Sequence, residues 1–483
     1  MKNTAIWTAC ALALGLGLTG CKDALTIEPQ QSIDASTAYN TSQKVSAAVV
    51  GAYARLDDPS LYGTDLILVP ELIGEQGAGY TVWNGSFSNY NQLYRRTQIS
   101  TLSNAQAIWT QAYNAINQCN LILANLSAVT DTGQRTQFEG EAKFIRGIMY
   151  FELVRLYAQQ YQAGGGNSQP GVPINLTPIT TTEQADVKLA RSTVEQVYAQ
   201  VISDLQTAIT NLPSQNVTRA SKYSAEAMLA RVYLQQSNFT AARAMADDVI
   251  KNSGSALQGS VAAVFANRNS GESLFEIQQN DQNNAGTSNS GLATFWAGYS
   301  PTGDQTVLYG RGDVYIQPAF VNLYAASDVR GTDGQPALTT QKLIYVSDGN
   351  NKTGRYRTIK WRTYGQNIPV ARLAEMYLIR AEADVRAGNV ASATADINTI
   401  RQRSYRSTLT PPVAYQPVTT ITLADVLLER QLELAFEGFR IHDLKRTGRP
   451  VGTIAANSPL LVLPIPQREI NNNSLLTQNA GYN

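Results

Sequence analysis

A mainly α-helical fold is what this 483-residue sequence predicts: a tetratricopeptide-like scaffold of helix hairpins interrupted by a long loop-rich insertion with a few short strands. Three observations carry that expectation. Apolar residues recur at three- and four-residue spacings through most of 37–253 and again after 369, the period of one helix face. Residues 222–251 align on 373–402 at an offset of 151, with Ala230 on Ala381, Asn238 on Asn389, Ala242 on Ala393 and Val249 on Ile400. Each copy reads as helix, Asn-containing turn, helix, the unit that stacks in helical repeats. Residues 254–368 lose the helical period and fill with Gly, Asn, Ser and Tyr.

The chain opens on a leader. Lys2 precedes an apolar stretch, Ala5 to Leu18, too short to span a bilayer and of signal-peptide length. It ends in Leu18-Thr19-Gly20-Cys21, which resembles the bacterial lipobox. The expected products are a lipoprotein signal peptide over 1–20, an acylated Cys21 as the new N-terminus, and a polar tether over 21–36 containing Pro29. One folded domain, 37–483, follows, its helical scaffold at 37–253 and 369–483 flanking the insertion at 254–368. Of the three cysteines only Cys119 then belongs to the body, so no intrachain disulfide forms. Cys119 lies on the stripe Trp109, Ala112, Ile116, Cys119, Leu123, Leu126 and is assigned to the core.

Within the body, the spacing predicts a first helix from 37 to 56, stopped before Asp57-Asp58-Pro59. Residues 59–100 show no long period and scatter Tyr62, Tyr80, Trp83, Phe87, Tyr90 and Tyr94 among Gly, Asn and Ser, which predicts an irregular functional segment. Helices are expected at 104–126 and 137–160, antiparallel across the short link at 130–133, and at 193–212 before Pro213. Inside the insertion, Ser273-Leu274-Phe275-Glu276-Ile277 and Lys342-Leu343-Ile344-Tyr345-Val346 read as strands. A helix is entered at Pro369. A final helix runs from Leu423 to Arg446, with Leu428, Leu432, Ala435, Phe436 and Phe439 inward and Arg430, Glu433, Glu437 and Arg440 as a structural charge ladder.

Composition removes several function classes. With 38 Lys+Arg against 37 Asp+Glu, the chain lacks the basic excess that a nucleic acid requires. One histidine, His442, and three cysteines supply neither a zinc site nor a histidine-based catalytic centre, so no metal and no cofactor are expected.

The run Glu429-Arg430-Gln431-Leu432-Glu433-Leu434-Ala435-Phe436-Glu437-Gly438-Phe439-Arg440, followed by Asp443-Leu444-Lys445-Arg446-Thr447-Gly448, resembles the C-terminal signature of the SusD/RagB family of outer-membrane nutrient-binding lipoproteins. Glu141-Ala142-Lys143-Phe144-Ile145-Arg146, Gly171-Val172-Pro173-Ile174, Arg372-Leu373-Ala374-Glu375 and Leu463-Pro464-Ile465-Pro466 extend the likeness along the mature chain. The resemblance implies four tetratricopeptide-like helix pairs and a cell-surface lipoprotein. It also implies a partner, a SusC-like TonB-dependent barrel, and a glycan ligand or, in the RagB branch, a peptide. The signature residues are scaffold positions and do not name the ligand.

Ligand candidates come from sorting the tryptophans. Trp7 leaves with the leader, while Trp109 and Trp361 read as packing. Trp83 and Trp296 lie in irregular stretches beside Tyr80, Phe87 and Tyr299, and the family's sugar sites are likewise arcs of loop aromatics. The apolar C–H face of a pyranose suits such rings, and Asn84 or Asn89 could take its hydroxyls. Satellite packing under the loops is the alternative for each ring. A hydrolase built on Glu71 with Glu75, or Asp304 with Asp313, is the less favoured reading, because nothing in the sequence sets either pair at a catalytic separation.

Overall fold

A computed structural model describes residues 38–75, 79–286, 290–298, 310–337, 340–347 and 353–482. The leader, Cys21, the tether, Tyr299 and Asp304 lie outside them. Helix α1 (Ser42–Arg55) is capped by the Thr41 hydroxyl, which accepts from Lys44 N, and buries Val45, Val49 and Ala52. The stretch expected to be irregular holds two helices, α2 (Asp65–Ile73) and α3 (Ser88–Arg95), with strand β1 (Thr81–Trp83) between them. All nine residues of α2 are buried, so it has no polar face and carries no amphipathic period to read.

Helices α4 (Ser103–Ala124), α5 (Thr132–Tyr157) and α6 (Val194–Asn211) follow, with α4 and α5 forming the expected pair. Trp109 and Cys119 lie in the core between them, and Trp109 meets Tyr157 edge-on at 5.1 Å. Burial pushes the Cys119 thiol up to about 12, which keeps it inert. At the α5–α6 crossing a Cβ on Gly147 would stand 3.3 Å from Leu205 Cγ, so the missing side chain allows the close approach, which Arg146 and Asp204 lock with paired bonds of 2.8 and 2.7 Å.

The internal repeat is α7 (Lys222–Gln235) with α8 (Phe239–Asn252) and, later, α10 (Leu373–Arg386) with α11 (Val390–Ser404). Asn238 and Asn389 both stand at the N-cap of the second helix. The aligned Ala230 and Ala381, Ala242 and Ala393, and Val249 and Ile400 are all fully buried. Helices α4, α5, α6, α7, α8, α10 and α11 stack in that order, each packing on the next, α1 covers α4, and α12 (Leu423–Glu433) packs on α10.

Between the repeat copies stand β2 (Ser273–Ile277), a short helix α9 (Leu292–Trp296), β3 (Val314–Ile316), β4 (Ile344–Val346), β5 (Tyr356–Thr358) and β6 (Ile368–Arg372). Strand β2 pairs antiparallel with β6, and the other four form a sheet in the order β1-β3-β5-β4. Two expectations change here. Strand β1 of the aromatic stretch is an edge of the insertion's own sheet, with Val82 opposite Tyr315. Pro369 stands in a strand rather than a helix, tolerated because β6 has a partner on one side only.

The expected single helix over 423–446 is two, α12 and α13 (Arg440–Arg446). The chain turns between them with φ of 69° at Phe436 and 84° at Gly438. A Cβ on Gly438 would lie 3.0 Å from Ile67 Cα, so both the dihedral and the closeness of α2 demand glycine. Leu428, expected inward, is 37% exposed. The charge ladder pairs across the fold instead of along the helix. Glu433 is bonded by Arg330 Nη1 at 3.0 Å and also by Arg372 and Arg403, and Glu272 takes Arg372 at 2.9 Å and Arg403 at 3.1 Å.

Glu433→Ala is expected to cost about 3–5 kcal/mol in urea denaturation, because it removes the buried carboxylate that three guanidinium groups share and leaves their positive charge under-compensated. Lys251→Ala, which breaks the pair with Asp247 and whose lysine side chain is 63% exposed, should cost under about 1 kcal/mol.

Candidate functional site

The loop aromatics converge on α9, whose consecutive residues Phe295 and Trp296 anchor two groups of rings. Phe295 meets Tyr90 at 5.1 Å, Trp83 at 5.6 Å and Phe87 at 6.3 Å. Trp296 meets Phe436 at 5.0 Å, and Phe436 continues through Phe320 at 5.5 Å to Tyr80, 4.6 Å further on. The residues named from the sequence are therefore brought together, except Tyr299, which lies outside the described residues.

Their exposure departs from expectation. Trp83 is 5% exposed and Trp296 not at all, so both are core residues in this structure and neither turns an open ring face outward. The physical reason is the one that governs any large ring under long loops: burying the indole stabilises more than exposing it. Both indole Nε1 atoms are buried without an acceptor. The half-exposed rings are Tyr80 and Phe87, together with Tyr94, Tyr315 and Tyr356, which sequence reasoning did not single out as ligand residues. Three-residue strands are too short to show alternation, so nothing in the sequence marked Tyr315 or Tyr356.

Arginines interleave with these rings. Arg440 lies over Tyr80 at 4.4 Å, Arg311 over Phe87 at 4.4 Å and Arg355 over Tyr315 at 4.6 Å. The Asn84 side chain is exposed beside Trp83, whereas Asn89 donates its amide to Asn104 Oδ1.

Beneath Tyr80 a narrow cleft with a cavity volume of only about 30 Å³ runs between α2 and the 434–439 turn, lined by Glu71, Glu75, Tyr80, Gln431, Phe436 and Arg440 among others. Glu71 Oε1 accepts from the backbone N–H of Gly438 at 2.9 Å and of Phe439 at 3.2 Å, which ties the turn to α2. Glu75 accepts from Tyr80 N and stands 3.4 Å from Arg440 Nε. Desolvation pushes their carboxyls up to about 7 and about 8, against the pull of Arg440. Glu71 is thus engaged as a structural clamp, and Asp313 is paired with Arg311. Among the described residues no group of three His, Cys, Asp or Glu could hold a metal ion.

A carboxyl whose folded pKa is raised binds its proton more tightly folded than unfolded, so its contribution to stability falls as pH rises between the two values. For Glu75 that window runs from about 4.5 to about 8. Glu75→Gln should melt with the wild type at pH 5 and be more stable than it, on the order of 2 kcal/mol, at pH 8.5. A difference that stays flat across thermal scans in this range would refute the assignment.

Comparison with known proteins bears on the whole chain. Residues 27–234 match a SusD-like family model described as starch-binding and associating with the outer membrane, and residues 341–459 match the SusD family model. SusD-like protein P2 of Formosa agariphila is 28% identical, with 98% of each chain covered. The starch-binding protein SusD of Bacteroides thetaiotaomicron is 35% identical over 166 residues, which is 31% of this chain and 26% of that one. Among solved structures, a putative sugar-binding protein from Bacteroides vulgatus superposes with a TM-score of 0.78 at 26% identity, covering 92% of this chain and all of its own. Two family models over 27–234 and 341–459, with relatives matched over nearly the whole chain, place this chain in the SusD/RagB family.

Proposed function

We propose that this protein is a surface receptor that captures oligo- or polysaccharide on its loop aromatics and hands it to a SusC-like TonB-dependent barrel. The supporting observation is the set of half-exposed rings, Tyr80, Phe87, Tyr94, Tyr315 and Tyr356, carried on short elements and backed by buried rings. Such a surface offers stacking faces for pyranose rings, with exposed amides such as Asn84 at its margin. Trp83 and Trp296 support that face from beneath, and Tyr299 is the remaining sequence-named contributor. Relatives described as starch-binding and sugar-binding favour a glycan over a peptide. The protein holds its ligand without converting it.

In this reading residues 1–20 are removed, Cys21 carries the acyl chains, 21–36 is the tether, and 37–483 is the receptor domain on the cell surface. One acyl chain binds a membrane only marginally, so multiple chains on Cys21 provide the anchor. Among the described residues no helix is long and apolar enough to cross a membrane, so in this reading a barrel partner carries the ligand across.

Retention in native gels containing starch or laminarin, with no release of sugar product, is the expected result. Tyr80→Ala with Phe87→Ala should weaken retention at unchanged melting temperature. The tryptophans make poor probes, since truncating a buried indole costs about 3–5 kcal/mol of stability by itself. Retention of peptides in place of glycans would overturn the ligand assignment.

Cys21→Ala should abolish acyl labelling and release the protein from the membrane fraction. Tagged wild type should bring down a large barrel protein through detergent washes, as expected of an interface above roughly 2,000 Å². Acyl label on the variant, or no barrel under expressing conditions, would sink the respective part.

A further inference from the structure

Among the described residues most buried arginines grip a carboxylate, whereas Arg96 and Arg357 bond only backbone carbonyls, and of these two only Arg357 has both Nε and Nη2 unpartnered. A guanidinium holds Nε–H and Nη2–H side by side, a fork that fits both oxygens of one carboxylate or oxyanion. Arg231 grips Glu375 through it at 3.0 and 2.6 Å, and Arg372 grips Glu437 at 2.9 Å through each nitrogen. Arg330, Arg357, Arg372 and Arg430 are the arginines among the largest fully buried side chains. Three of them hold carboxylates: Arg330 with Asp328, Arg372 with Glu437 and Arg430 with Asp443. Arg357, on β5, holds none among the described residues. Its Nη1 donates to the Val314 carbonyl at 2.7 Å, while Nε and Nη2, the fork itself, are buried without an acceptor.

The neighbourhood shares the deficit. Ser347 Oγ and Arg355 Nη1 are likewise buried and unpartnered. A Cβ on Gly298 would fall 2.9 Å from Arg357 Nε and 3.0 Å from Ser347 Oγ, and one on Gly312 would fall 2.8 Å from Arg357 Nη2. Glycine at both positions leaves the fork free of side chains. Arg355 also lies over Tyr315, one of the half-exposed rings, so the vacant donors adjoin the surface assigned to the ligand.

We propose that the ligand carries an oxyanion, a carboxylate or sulfate on a sugar ring, and that the Arg357 fork receives it with help from Arg355 and Ser347. This rests on the glycan-binding reading above and names the class of glycan. Arg357 is closed off from solvent, so entry requires Gly298 to part from the sheet, where its N–H donates to the Tyr345 hydroxyl at 2.8 Å.

The test is titration calorimetry of the full chain at fixed ionic strength with laminarihexaose, trigalacturonate and a carrageenan tetrasaccharide as neutral, carboxylate and sulfate probes. At least one acidic probe should bind about tenfold or more tighter than the neutral one, as a bidentate charged contact implies. Arg357→Gln should abolish that preference and leave binding of laminarihexaose and the melting temperature unchanged; the acidic probe that wins identifies the oxyanion. Should that variant fail to fold, Arg355→Gln carries the same test. Neutral and acidic probes bound alike, or an acid preference that survives both substitutions, overturns this inference while leaving glycan binding intact. A crystal structure with a carboxylate of this chain in the fork also overturns it. Failure to bind any saccharide overturns the glycan reading with it.

Discussion

One buried carboxylate, Glu433, organises the molecule. It is fully buried and bonded by guanidinium groups from three distant places: Arg330 in the insertion, Arg372 at the end of β6 and Arg403 on α11. Burial alone would lift its pKa, yet the facing charges of Arg403, Arg372, Arg330 and Lys360 hold it well below the usual carboxylate range. An uncompensated charge at that depth costs several kcal/mol, so the ion forms only when all its partners are in place. The insertion, the second repeat copy and the C-terminal helix are therefore fastened by one condition. Lys360 extends it by donating to the carbonyls of Glu433 and Ala435 at 3.0 and 2.8 Å, which positions the turn after α12.

A second string of charges runs through Arg430 of α12. Arg231 on α7 shares Glu375 on α10 with Arg430, Arg430 binds Asp443 on α13, and Arg446 bridges Asp443 and Glu382. Arg430 and Arg446 hold Asp443 down to about 2, so this string persists across the physiological range. The signature segment is thus a junction where repeat copies, insertion and terminal helices meet. Its conspicuous charges are paired within the fold.

The helices α1, α4, α5 and α6 were legible because each has a polar face that leaves an apolar stripe, and the repeat because its crossing points demand small residues at matched positions. Helix α2 was illegible for the converse reason, being buried on every side. The break after Glu433 escaped notice because the apolar and charged spacings run straight through it, and only the positive φ at Phe436 and Gly438, a backbone property, interrupts them. For the candidate site, Tyr80 and Phe87 were named from their irregular context, and both rings are half-exposed. The same context placed Trp83 and Trp296 on the surface, although ring size favoured their burial. Arg357 was beyond reach, since an arginine lacking an acid is recognisable only once its neighbours are known.

Buried charges and donors are met unevenly across the fold. In the scaffold Glu433 and Asp443 are driven below their ordinary range by converging arginines. On the loop side Glu71 and Glu75 are raised, and Trp83, Trp296, Ser347, Arg355 and Arg357 keep donors without acceptors. Polar groups left unmet in a buried setting weaken the fold that contains them. In the proposed reading that loss has a use, because donors already desolvated and held in place are not reorganised when a ligand supplies the missing acceptors.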